Sequence, residues 1–143
     1  MPTEAEWEYC ARANEDTIYS GSDNIDEVAW YDENTGGPFG GGETHPVGQK
    51  KPNAWNLYDM SGNVFEWVWD TAIFDEDHNV TGESKYTSKS RVSPLVDEAS
   101  SLRVFRGGSW GGYEEHARVS IRSRYGASDW DRNVGFRFLR TCL

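Results

Sequence analysis

The chain carries few side chains suited to covalent chemistry. Its two cysteines, Cys10 and Cys142, lie far apart and show neither a CxxC pair nor a Cys/His spacing of the metal-binding kind. They read as free structural thiols; the alternative, a bridge joining the first helix to the last strand, requires an oxidising compartment. His45, His78 and His116 are scattered in unlike contexts and read as ordinary polar or loop residues. Glu114 and Glu115 are adjacent acids that could serve as general acid and base. Neighbours on an extended chain point to opposite sides, so the two cannot easily flank one bond and read as solvated. There remains RGGSWGGYEEHARVSIRSRYGASDWDRNVGFRF, residues 106 to 138. Two rigid-looking ends, RGGSW and GFRF, bracket an aperiodic mixture of glycine, tyrosine, acid, base and tryptophan, which is open to three readings: a catalytic pocket, a binding surface or filler.

Elements must hold that stretch in place. A chain of 143 residues is the size of one domain, large enough to bury roughly two thirds of its unfolded surface. Seven Trp, seven Tyr and six Phe make the core one of large flat side chains, many with an N–H or O–H that needs a partner. Thr3 with Glu6 three residues on is a capping-box start for a helix running to about Ala13, with Trp7, Cys10 and Ala11 as its apolar face. A second short helix is expected from Ile25 to Trp30, after Asp23-Asn24. The GGPFGGG run, Gly36 to Gly42, is a loop, since glycine loses most freedom on ordering and proline lacks a donor. Short strands are expected at His45 to Val47, Asn56 to Met60, Glu66 to Thr71, Val104 to Arg106, Arg118 to Arg124 and Gly135 to Arg140. Alternation in the fifth would put Arg118, Ser120, Arg122 and Arg124 on one face. Residues 75 to 101 are polar and aperiodic and read as a long surface loop.

A net charge of −10 opposes a polyanionic partner, because nucleic-acid affinity comes largely from cations on phosphates. The sign is uneven: residues 103 to 143 hold eight arginines and four acids (+4), the rest six bases and twenty acids (−14). The arginines are expected to tie the terminal region to the acidic remainder. No signal-peptide pattern and no apolar run of membrane-spanning length is present, so membrane insertion is not expected and the compartment stays unknown.

Three blocks, PTEAEWEY (Pro2 to Tyr9), PNAWNLYDMSGNVFEW (Pro52 to Trp67) and RVFRGGSW with NVGFRF (Arg103 to Phe138), resemble the formylglycine-generating-enzyme or sulfatase-modifying-factor family in order and approximate spacing. The resemblance implies an α+β, C-type lectin-like fold with one capped N-terminal helix, short strands and much ordered loop, residues 1–143 forming a single domain. The family domain normally begins well before this helix, with segments that include a strand pairing near the C-terminal strand. The chain opens on the helix, so the resemblance implies that this N-terminal segment is lacking and that the strand around Phe136 to Leu139 loses a ladder partner.

In the family's oxidases two cysteines after the GGS[WY] motif bind copper(I), for which soft thiolates are the fitting ligands. The matching positions here are Gly112 and Ala117, so no copper is expected. The sulfoxide-synthase branch uses a histidine-rich iron site mostly from a separate domain, and the three histidines here do not rebuild it. A family calcium site maps onto Asp59 and Glu66 as side-chain ligands and Gly62 and Val64 as carbonyl ligands. Two carboxylates with carbonyls and waters meet calcium's need for six to eight oxygens, whereas a turn held by hydrogen bonds alone, with Asn63 bonding locally, is the alternative.

The family also includes the variable proteins of diversity-generating retroelements, ligand-binding proteins of phages, bacteria and archaeal viruses whose C-terminal segment is rewritten by adenine-directed mutagenesis. The resemblance makes residues 103–143 the candidate variable region. Gly111, Gly112, Tyr113, His116, Ile121, Ser123, Tyr125, Gly126, Ser128, Asp129 and Asp131 are all reachable by rewriting Asn codons; Glu114, Glu115 and Trp130 are not. Tyr113, Tyr125 and Trp130 would give rigid contact area and the polar residues specificity, on a frame of buried Trp110, Phe136 and Phe138 with Arg106 or Arg137 paired inside. A non-enzymatic domain recognising a protein or cell-surface ligand, with display on a virion or cell surface, is the leading expectation. An oxidoreductase fragment of the same family is the runner-up, and an accessory domain of a larger secreted protein the third. Oligomeric state is not legible.

Overall fold

A computed structural model describes residues 1–37, 42–71, 102–128 and 130–140. Helix α1, Glu4–Arg12, begins as its sequence dictates: Thr3 Oγ1 accepts the Glu6 N–H at 3.3 Å and Glu6 Oε2 accepts the Thr3 N–H at 2.8 Å. It ends at Ala13, whose left-handed backbone (φ 46°) returns its N–H to Tyr9 O. Glu4, Trp7 and Ala11, spaced i, i+3 and i+7, form its buried face. Two one-turn helices follow, α2 (Ile25–Val28), capped by Asn24, and α3 (Asp32–Thr35).

The sheet has four strands: β1 Phe65–Thr71, β2 Leu102–Arg106, β3 Ser123–Gly126 and β4 Val134–Phe136. Their spatial order is β3-β2-β1-β4, with β2 antiparallel to both β1 and β3 and β4 parallel to β1. The two-residue period of FEWVWDT turns Glu66, Val68 and Asp70 inward and leaves Phe65, Trp67 and Trp69 on the other face. Asp70, fully buried, accepts the Glu4 N–H at 2.7 Å. It thereby satisfies an otherwise orphaned donor at the start of α1 and docks the helix on the sheet.

Two apolar clusters fill the interior. Trp7, Ala11, Met60, Val68, Val104 and Val119 lie between α1 and the sheet; Tyr19, Ile25, Val28, Ala29, Tyr31 and Ala117 lie under α2 and the turn that follows Tyr113. Close backbone approaches lock them together. Gly62 (φ 78°) lies where a Cβ would come within 2.5 Å of Trp30 O, and Gly108 (φ 76°) where one would come within 2.9 Å of Ala117 N. The arginines do tie the terminal region to the acidic remainder. Arg106, 1% exposed, bonds Glu4, Glu8 (2.8 Å) and Val119 O (2.6 Å), and its guanidinium lies 5.2 Å from the Trp7 ring.

Several expected strands are not strands. Asn53 Oδ1 accepts the N–H groups of both Trp55 and Leu57, and Asn63 Oδ1 accepts that of His45. Side-chain bonds thus replace ladder bonds, and positive φ at Asn56, Asp59 and Asn63 bends the chain away from extension. The alternation read into Arg118 to Arg124 fails because Val119 turns into the core, donating its N–H to Ile18 O, and Ile121 closes a turn onto Arg118 O; pairing starts only at Ser123. At the frame, Trp110 is buried as expected (1% exposed), but Phe136 and Phe138 are 59% and 85% exposed. β4 pairs with β1 alone, and the two rings meet edge to face on each other, 5.3 Å apart, rather than in the core. Most of the GGPFGGG loop, residues 75 to 101 and Cys142 lie outside the described residues. No helix among the described residues is long and apolar enough to cross a membrane.

Candidate ligand-binding site

The RGGSW brace sets the position of everything after it. Gly107 and Gly108 carry the chain from β2 over the core, Trp110 donates its N–H to Asn63 O at 2.8 Å, and its carbonyl accepts Thr35 Oγ1 at 2.7 Å. Arg132 lays its guanidinium 4.8 Å from the Trp110 ring on return. Between these points the chain makes a short 3-10 turn, Glu114–Ala117, anchored at both ends. Ala117 is buried in the second apolar cluster, while Tyr19, also buried, donates its O–H to Glu114 Oε1 at 2.6 Å. Burial pushes the Tyr19 phenol up to about 12, and the hydrogen bond and charge of Glu114 push the same way. Glu114, exposed as expected, also anchors the turn through this bond.

This turn, the ends of β1 and β2 and the start of β3 border an open cavity of ≈ 520 Å³. Phe65 and Phe105 meet edge to face at 4.5 Å on its apolar side, Tyr113 and His116 stand with their rings 6.1 Å apart, and Ser109, Ser123 and Asn133 add polar atoms. Arg122 and Arg124 complete the lining. The Arg122 guanidinium is held by Glu4, with Nε on Oε1 at 2.6 Å and NH2 on Oε2 at 2.5 Å, so this wall is fixed from the core side.

Of the expected binding residues, Gly111, Gly112, Tyr113, His116 and Ser123 line this cavity. Tyr125 joins it through Phe105, ring centroids 6.3 Å apart. Gly126 ends β3 opposite Leu102, and Ile121 is half-buried in the turn before it. Ser128 is exposed, Trp130 is 89% exposed on the loop beyond β3, and Asp131 is a turn residue whose Oδ1 accepts the Asn133 N–H at 2.9 Å. Asp129 lies outside the described residues. Sequence reasoning missed Phe65, Phe105, Ser109, Arg122, Arg124 and Asn133. The period-two pattern of β1 signals Phe65 as an outward aromatic; nothing local marks Asn133.

The calcium candidates are partly gathered elsewhere. Asp59, Val64 and Glu66 line a second cavity of ≈ 420 Å³ beside Arg137 and Phe136, and Gly62 is buried next to Trp30. Glu66 accepts from Trp7 Nε1 at 2.7 Å and from Arg137 at 2.6 and 2.5 Å, while the same guanidinium donates to Tyr58 O and Asp59 O at 3.2 and 3.3 Å. Burial works against the Arg137 charge, but Glu66 and Asp59 more than offset it and hold its pKa above the ordinary value. Asp59 Oδ2 accepts the Gly48 N–H at 2.8 Å. As folded, a built-in cation lies on the Glu66 carboxylate, while Asp59 Oδ1 is buried without a hydrogen-bond partner among the described residues. His45 stacks on Trp30 at 3.8 Å, away from the first cavity, and no group of three or more His, Cys, Asp or Glu able to hold a metal occurs among the described residues.

The Sulfatase-modifying factor enzyme 1-like domain matches residues 1–142. The chain belongs to this family. Among solved structures, this sulfatase-modifying-factor domain is similar to Treponema denticola variable protein 1, with 35% identity and a TM-score of 0.75 over 95% of this chain and 45% of that one. It is also similar to PvdO from Pseudomonas aeruginosa, with 32% identity and a TM-score of 0.68 over 95% and 50% of the two chains. Among curated proteins, it is 34% identical to the chaperone protein LppX of Paenibacillus barcinonensis, covering 99% of this chain and 49% of that protein. It is 31% identical to the formylglycine-generating enzyme of Streptomyces coelicolor, covering 96% and 45%. The chain thus spans about half the length of these relatives. The mixed α+β, C-type lectin-like architecture with one main helix is that of the family.

Proposed function

We propose that this domain is a non-enzymatic ligand-binding module whose variable surface, drawn from residues 103–143, recognises a protein or cell-surface ligand, as in the variable proteins of diversity-generating retroelements. The observation that carries the reading is the division of labour in the C-terminal segment. Trp110, Ala117, Val119 and Arg106 are buried to 1% exposure and fix its path, whereas Tyr113, Tyr125, Ser128 and Trp130 are left on the outside. A rigid frame carrying exposed aromatics is the arrangement of a paratope, where Tyr and Trp give contact area at little cost in conformational entropy. The likeness to Treponema denticola variable protein 1 supports it.

The family's enzymes supply the competing reading, and the residues at the copper positions speak against it. Gly112 has no side chain and Ala117 is sealed in an apolar cluster, so neither offers the thiolate that copper(I) prefers. The test has two arms. The gene's neighbourhood is expected to hold a reverse transcriptase and a near-identical, adenine-rich template copy of the terminal segment; absence of both removes the retroelement part. A library randomised at the exposed positions is expected to fold and to yield binders, and stoichiometric copper or iron binding with oxygen consumption would replace the whole reading by the enzymatic one.

A further inference from the structure

One edge of the sheet ends on a strand whose own sequence complements itself. Strand β4 has β1 on one side and, among the described residues, no strand on the other. Asn133 O accepts the Phe65 N–H, so by the alternation of a strand the backbone groups of residues 133 and 135 face β1 and those of residues 134, 136 and 138 face outward. The Val134 N–H is taken by Asp131 O at 3.2 Å, whereas the groups of Phe136 and Phe138 have no strand to meet among the described residues. The chain stays extended past β4: the Phe136 and Phe138 rings meet on one side of it, 5.3 Å apart, and Arg137 between them turns to the other, onto Glu66. Neither proline nor lysine, the usual edge blockers, occurs from Val134 to Arg140, and an edge without them is a template for another strand.

The run FRFLR, Phe136 to Arg140, restricts which strand fits. Arg140 is exposed and, unlike Arg106, Arg122 and Arg137, forms no ion pair among the described residues. When this stretch pairs antiparallel with itself about a two-fold axis at Phe138, Phe138 faces its own copy and Phe136 faces Arg140. All three are outward positions, so the backbone groups meet in register, and each guanidinium comes over a ring that is 59% exposed in the single chain. An apolar strand of another sequence would satisfy the edge and leave Arg140 unpaired; a second copy satisfies both, twice. Phe136 shares the smaller cavity with Val47 and Tyr58, and these three with Phe138 and Leu139 are 36–85% exposed. At the area an aromatic side chain carries, they offer roughly 600 Å² per copy, which doubled reaches the lower size limit of a specific interface. We infer that this edge takes a second copy of the same chain, β4 against β4, in a two-fold dimer that joins the two sheets into one. Because β3 is the opposite edge, Tyr125 stays clear of the contact and the dimer presents two binding surfaces, which raises avidity for a ligand that repeats.

Sedimentation equilibrium of the chain tests this by reading its mass against concentration. The expected result is a monomer–dimer equilibrium with a Kd on the order of 10 µM, in keeping with an interface at the lower size limit. Hydrogen exchange at the Phe136 and Phe138 amides is expected to slow as concentration rises. Phe138→Glu, at a position 85% exposed, keeps the fold and sets two carboxylates against each other on the two-fold axis; Phe138→Lys does the same with two ammonium groups. Each alone is expected to weaken association at least about tenfold, and an equimolar mixture of the two to restore it, because Glu then faces Lys. The rescue also shows that both variants are folded. Arg140→Gln is expected to weaken the dimer about tenfold, since two cation–π contacts are lost at once, and Arg140→Lys to keep most of the affinity. A chain that stays monomeric well above the expected Kd overturns the inference and assigns the edge to a strand of different sequence. A dimer indifferent to Phe138→Glu, or a mixture of the Glu and Lys variants that stays monomeric, overturns it as well.

Discussion

Glu4 holds two guanidiniums at once, and its replacement tests whether that junction governs the cavity wall. Its side chain is 4% exposed and bridges Arg106, 1% exposed, to Arg122, 20% exposed. Glu4→Gln keeps the shape and removes the charge, leaving Arg106 with Glu8 and Val119 O. Removing one partner of a buried ion pair costs about 3–5 kcal/mol because the other charge stays behind; the bonds Arg106 retains place the expected loss near the lower end, about 3 kcal/mol. For a domain of this size that corresponds to a fall in Tm of about 10 °C. Urea denaturation measures the loss, and the cycle with Arg122→Gln isolates the coupling: since Arg122 has less to lose once Glu4 is neutral, the double variant should be more stable than additivity predicts. Glu4→Gln is also expected to loosen Arg122 and shift the NMR signals of Ser123 and Arg124, which line the cavity beside it. A loss under about 1 kcal/mol with unchanged cavity signals would refute the reasoning, showing the pair to be as weak as an exposed one.

Four further outcomes are expected. Burial, the largest influence on Glu8, raises its pKa, but the Arg106 charge with the hydrogen bonds from Arg12 and Arg106 outweighs it and leaves the carboxyl below 4.5. The folded state therefore binds that proton less readily than the unfolded chain; the stabilisation is present above pH 4.5 and lost as pH falls through the folded value, so Glu8→Gln flattens the acid limb of the stability curve. Gly108→Ala combines a left-handed φ with a Cβ 2.9 Å from Ala117 N and is expected to cost at least about 1–3 kcal/mol in urea melts. Trp130→Ala, at 89% exposure, should leave stability within about 0.5 kcal/mol yet weaken a selected partner by about 2 kcal/mol or more in calorimetry. Calcium and chelator should both leave Tm unchanged, because Arg137 already neutralises Glu66; a calcium-dependent rise of several degrees would show that the ion displaces the guanidinium.

How much was legible follows the range of the interactions concerned. The Thr3–Glu6 box, the Trp7/Ala11 face, the core of β1 and β2 and the glycine brace after Arg106 depend on neighbours within a few residues, and their patterns are visible in the chain. Expected strands at Asn56 to Met60 and Arg118 to Arg124 fail because Asn53 captures two backbone N–H groups and Val119 is drawn into a core contributed by distant segments. Neither event has a local signature.

Residue order alone carries the family, the helix and the two ends of the C-terminal segment, together with the lack of thiols at Gly112 and Ala117. Folding in three dimensions leaves Phe136 and Phe138 outside, makes Glu114 an anchor for Tyr19 and sets Arg137 on Glu66. It also decided that Phe65 and Asn133, far apart in the chain but joined through the Phe65 N–H and the Asn133 carbonyl, line one cleft with Tyr113 and His116. The physical reason is that residue type and spacing fix what a side chain can bond, whereas which partner it meets is settled by sheet register and by contacts between residues sixty to more than a hundred positions apart.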